Sequence, residues 1–117
     1  MKQKEVTING KTYPVIFTMK TITGFEEIVE HSFFTDDFSK MASRIAIVVA
    51  AIVAADINAD VSADDMLNAD KFEAVNEVLE AYATVMELAG EFFEVPKKEK
   101  KEDSKEEKAE KTEQKKN

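Results

Sequence analysis

Residues 5–18, EVTINGKTYPVIFT, decide how the rest of the chain folds. Val6 and Ile8 alternate with polar neighbours, as a half-buried strand requires. Asn9-Gly10 supplies the two positive-φ residues of a type I′ turn, so the chain is expected to double back into a β-hairpin over 4–18. The return strand carries Tyr13, Val15 and Phe17 on one face. Pro14 has no amide hydrogen to give a ladder, so it belongs at an edge or a bulge. A lone hairpin is marginal in water and must lay its apolar face on something else.

The following sequence has helical period. Thr23 is the expected N-cap of a short helix over 23–31, with Phe25, Ile28 and Val29 on one side and Glu26, Glu27 and Glu30 on the other. Ser32-Phe33-Phe34 ends it. Thr35 is then expected to cap a long helix over 35–55, with Asp36 and Asp37 at its positive dipole end. Beyond Arg44 this helix is apolar all round, which requires cover on more than one face. A chain this short is expected to leave part of it open, pointing to an oligomer or a partner groove. Residues 56–65 read as a loop, with Ser62 opening a short helical segment over 62–68. The last helix is expected over 70–94. Its apolar seam is Phe72, Val75, Leu79, Tyr82, Met86, Ala89 and Phe93, flanked by Val78, Val85 and Phe92, and Pro96 stops it. The fold class is α+β: an N-terminal hairpin followed by a three- to four-helix bundle.

Charge divides the 117 residues unevenly. Residues 97–117 hold nine Lys against seven acids. Residues 1–96 hold seven Lys plus Arg against seventeen acids, a net of −10. Every Phe, Tyr, Ile, Leu, Val and Met precedes residue 97, so 1–96 is read as one globular domain and 97–117 as a disordered charged tail. An acidic body with one Arg repels phosphate and anionic lipid, so neither nucleic acid nor membrane is an expected partner. The apolar run 45–55 has eleven residues where a span needs about 20. The opening MKQKEVTING has no apolar run behind its lysines, so no signal peptide is expected. A cytoplasmic location follows as the expectation. With no Cys, thiol catalysis, disulfides and thiolate metal sites are excluded.

Asp56, Asn58, Asp60, Ser62 and Asp64 match positions 1, 3, 5, 7 and 9 of a calcium loop. The pattern fails at position 6, which holds Val61 in place of Gly, and at position 12, which holds Leu67 in place of a bidentate Glu. A capped loop is therefore expected rather than a metal site. His31 is the only imidazole, and nothing in the sequence pairs it with a nucleophile. Gly10, Gly24 and Gly90 are isolated, so no phosphate-cradling loop is present. We expect no catalysis and no cofactor. The candidate partner-binding residues are Ile45, Ile47, Val48 and Ile52 on the apolar helix and Phe92-Phe93 before the tail.

The stretch I-x-G-K-x-Y-P-x-x-F-T-M-K-x-I-x-x-F-E-E, Ile8 through Glu27, resembles the opening of tail assembly chaperones of siphophage-like phages and prophages. The likeness extends in style over residues 4–30, with helices and acidity agreeing over 35–94. It implies a hairpin, a helical bundle, a charged tail and a non-enzymatic task in the bacterial host. That task is coating the long, aggregation-prone tape measure protein while tail tube subunits assemble around it. The family offers no catalytic motif to carry over. Two other readings stay open: a small acidic inhibitor that mimics nucleic acid towards a basic protein, and a metal-dependent hydrolase built on the 56–65 carboxylates.

Overall fold

The computed structural model describes residues 2–94, and the expected tail at 97–117 lies outside them. Strands β1 (Lys4–Ile8) and β2 (Lys11–Val15) form an antiparallel pair without a bulge, Ile8 opposite Lys11 and Lys4 opposite Val15. The turn residues Asn9 and Gly10 have φ of 54° and 80°, as a type I′ turn demands. Ladder bonds alternate from the closing pair, so Pro14 opposite Glu5 falls at a position whose nitrogen faces outward. Val6, Ile8 and Val15 are buried, and Phe17 follows them into the interior.

Helix α1 spans Met19–Val29 and begins four residues before the sequence expectation. Thr18, not Thr23, is its cap. The Thr18 hydroxyl accepts the Lys20 amide (3.2 Å), and Thr21 Oγ1 in turn accepts the Thr18 amide (3.0 Å). Thr21 also donates to the Ile16 carbonyl, so this buried hydroxyl is fully used and joins the helix start to the end of the hairpin. The helix ends on Glu30 in the left-handed region (φ 63°), a position that favours glycine. Glu30→Gly is expected to raise unfolding free energy by about 0.5–1 kcal/mol in urea titration.

A 3-10 turn at Phe33–Thr35 leads into a loop, and helix α2 starts only at Met41, running to Ala55. Thr35 is no cap, because Asp36 claims the backbone ahead of it. Its carboxylate accepts the Phe38 amide (2.6 Å) and the Ser43 hydroxyl (2.8 Å), holding Phe38 at φ 58°. Arg44 clasps the same loop through the Phe38 carbonyl (2.7 Å) and lies 5.3 Å over the Tyr82 ring.

Helix α2 is the central element. Every residue from Ile45 to Ile52 is buried, under α1, β2, the short helix α3 (Ala63–Leu67) and the last helix α4 (Phe72–Phe93). This corrects the expectation of an open face on α2. Of its later residues only Val53, 37% exposed, has a large apolar side chain reaching solvent. The close approach of α1 passes through Gly24, where an added Cβ would sit 3.4 Å from that of Ala50. Alanine fits there; Gly24→Leu wedges the helices apart and is expected to cost about 1–3 kcal/mol, read in the same titration.

Helix α4 spans Phe72–Phe93. Its buried stripe is Val78, Ala81, Val85, Leu88 and Ala89, one position round from much of the expected seam. Phe72 is 75% exposed and Val75 also reaches solvent. A straight helix drifts about 20° per heptad from a 3.5 repeat, and α4 packs as an ordinary amphipathic helix rather than a coiled-coil strand. Its outer rows reach the hairpin: Glu77 accepts the Asn9 amide (2.9 Å), Glu87 pairs with Lys4 (2.7 Å) and Glu91 with Lys2 (3.4 Å). The Lys4 ammonium, bonded to Glu87, draws that carboxyl below its ordinary range. Such exposed pairs fix register more than they add stability.

Candidate functional site

His31 and Asp36 meet with Nε2 to Oδ2 at 2.6 Å, and the Ser43 hydroxyl donates to the same Oδ2 at 2.8 Å. All three residue types of a hydrolytic triad are therefore in contact, but the order differs. The carboxylate lies in the middle, and the buried Ser43 gives its proton to Asp36 rather than to an imidazole. A nucleophile needs the base beside it and the acid behind the base. Burial alone would raise the Asp36 carboxyl. The hydrogen bonds from His31, the Phe38 amide and Ser43, with the charge of His31, outweigh it and hold the carboxyl below the usual range. What this cluster can do is lock the loop between α1 and α2.

Two of the calcium-like residues are spent on backbone. Asp56 Oδ1 accepts the Asn58 amide (3.0 Å), and Ser62 Oγ accepts the Asp65 amide (3.1 Å) to cap α3. Asp56, Asn58, Asp60, Ser62 and Asp64 lie between the end of α2 and the first turn of α3, and among the described residues no three His, Asp or Glu side chains are grouped so as to hold a metal ion.

Of the partner-binding candidates, Ile45, Ile47, Val48 and Ile52 lie in the chain's own core and present nothing to a partner. Phe92 and Phe93 behave differently: they are 41% and 44% exposed. Phe34, which the sequence reading passed over as a helix breaker, joins them at 69% exposed, 6.0 Å edge-on to Phe93. Phe33 stacks on Phe93 from below (6.1 Å), and Phe17 lies 5.4 Å from Phe92 and 5.7 Å from Phe93. Phe25 and Phe38 continue the chain of rings inward from Phe33. The outer rings therefore stand on a packed aromatic foundation, which holds apolar surface in water at the C-terminal end of α4.

A second feature was not legible in the sequence. At the opposite end of α4, a cleft of about 920 Å³ opens between the hairpin turn, α3 and the first turns of α4. Ile8, Tyr13, Val61, Met66, Ala74 and Val78 line it, with Asp60, Asp65, Asp70, Glu73 and Glu77 around them. Its walls come from two segments far apart in the chain, residues 8–13 and 60–78, so no local pattern announces it.

Among the described residues no helix is long and apolar enough to cross a membrane. No protein-family model, curated protein or solved structure matches this chain.

Proposed function

We propose that this protein is a non-enzymatic tail assembly chaperone of the siphophage and prophage type, working in the bacterial cytoplasm. It holds the tape measure protein in solution while the tail tube assembles. The observation that carries the reading is the exposed aromatic surface of Phe34, Phe92 and Phe93. It gathers three exposed rings on an acidic body, Phe93 lying 5.1 Å from Phe92 and 6.0 Å from Phe34. Rings packed against one another offer large contact area at small entropic cost. The hairpin followed by helices agrees with what the resemblance over residues 8–27 implies.

An acidic nucleic-acid mimic would need its carboxylates free and arrayed outward. Several are instead engaged within the chain: Glu26 with the Phe33 amide, Asp37 with the Ser39 amide, and Glu77, Glu87 and Glu91 with the hairpin. That favours the chaperone reading over the inhibitor.

The test is co-expression with the tape measure protein encoded in the same gene cluster. The client is expected in the soluble fraction with the native chain and in the pellet with Phe34→Ser/Phe93→Ser. Both substituted positions are exposed, so circular dichroism should show the variant folded. A client equally soluble without the chain would overturn the proposal.

A further inference from the structure

The aromatic end of α4 is one surface; the cleft at its other end has different chemistry and points to a different kind of contact. We infer that this cleft receives a basic amphipathic helix of a protein partner. The inference goes beyond the chaperone reading and does not depend on which client that reading names.

The floor is apolar: Ile8 and Val78 are buried at its base, and Tyr13, Val61, Met66 and Ala74 line its sides. The rim carries five carboxylates, against Lys11 and Lys71 as the cations lining the same cleft. Two large apolar side chains stand beside it in solvent, Leu67 at the end of α3 and Phe72 at the start of α4. An exposed apolar patch ringed by polar groups is the signature of an interaction site. A helix about 10 Å across fills about 920 Å³ with two turns, so apolar residues at i, i+3, i+4 and i+7 reach the floor while Lys or Arg between them meet the rim.

Other occupants fit worse on the same chemistry. Nucleic acid and anionic lipid are repelled by the rim. The chain's own segment 97–117 has lysines for the rim but only one Ala, and nothing larger, for the floor. A second copy would bring a −10 body against five carboxylates. Its own aromatic surface is flanked by Glu91, paired with Lys2, and by Glu94, so among the described residues it offers an acidic rim no free cation there. The complementary partner is both apolar and cationic, and a basic helix-in-groove partner is both at once.

The probes are synthetic fourteen-residue peptides added to the full chain. The helical peptide LKKLLKLLKKLLKL is expected to bind, shifting the methyl resonances of Val61, Met66, Ala74 and Val78 and leaving those at the aromatic end unmoved. Asp70→Lys/Glu73→Lys is expected to weaken it by about tenfold or more. Glu5→Lys/Glu27→Lys, with the same change in net charge away from the cleft, should stay within about threefold. Equal loss in both variants, or shifts spread over the whole acidic surface, would reduce the binding to net charge and overturn the inference. So would equal affinity for an all-Lys peptide, or tighter binding of the strand-forming KLKLKLKLKLKLKL. A dimer by light scattering that Asp70→Lys/Glu73→Lys dissociates would assign the cleft to a second copy instead. Because tape measure solubility is not the readout, failure here leaves the chaperone proposal standing, and the reverse holds as well.

Discussion

Ile47→Asp is expected to yield no folded protein. Ile47 is fully buried in the middle of α2, with Val48, Ala51 and Ile52 beside it equally closed to solvent. An aspartate there loses about 1.5–3 kcal/mol of apolar burial and places an unpaired carboxylate in the core, a further penalty of several kcal/mol. Domains of this size are stable by about 5–15 kcal/mol in total. If Ile47 served an intermolecular contact instead, the variant would fold and merely lose a partner. Far-ultraviolet circular dichroism and soluble yield separate the two. Val53→Asp on the same helix, at a solvent-reaching position, is the control and should keep the native spectrum.

Asp36 gives the next largest effect. Asp36→Ala strips acceptors from the Phe38 amide and from the buried Ser43 hydroxyl at once, and releases a residue held at positive φ. A loss of about 2–4 kcal/mol follows, measured by chemical denaturation. The carboxyl also imposes a pH dependence of definite sign. Its folded-state pKa lies below the ordinary value of about 3.9, so the unfolded chain binds the proton more readily. The Asp36 contribution is therefore fully present above the ordinary carboxylate range and is lost as pH falls through the depressed folded value. Thermal melts between about pH 6 and pH 2 should show a steeper acid limb for the native chain than for Asp36→Asn. Parallel acid limbs would mean that Asp36 is not what is being protonated.

The hairpin was legible because its signal is local: alternation on either side of Asn9-Gly10 leaves one register. Helix starts were less so, because a cap is a competition among hydroxyls and carboxylates a few residues apart. Thr18 and Thr23 both suit an N-cap by residue type. Thr18 wins because Thr21 reciprocates, while Thr23 turns its hydroxyl back to the Lys20 carbonyl inside the helix. Thr35 caps no helix because Asp36 holds the chain out of helical geometry ahead of α2, and its partners Ser43 and His31 are brought to it only by the fold. The cover of α2 from Ile45 to Ile52 could not be read either, since it depends on α1, α4, β2 and α3 closing round it together. At the candidate site, Phe92-Phe93 stood out in sequence as apolar residues beside a charged segment. Phe34 did not, because its partner Phe93 is distant in the chain.

The three links between the hairpin and α4 also set the order in which the molecule can be made. Lys2 with Glu91, Lys4 with Glu87 and Asn9 with Glu77 join residues 89, 83 and 68 positions apart. Helices α1 and α2 meet across residues 30–40 and can associate early. The hairpin, made before the helices, lays β2 on α2 but waits for the last helix before the β1 side of its apolar face is covered. Closing so long a loop is paid in entropy before any contact is returned. Folding rate follows contact order, so this largely helical domain should fold more slowly than an up-and-down bundle of its length, at the pace of mixed α/β domains.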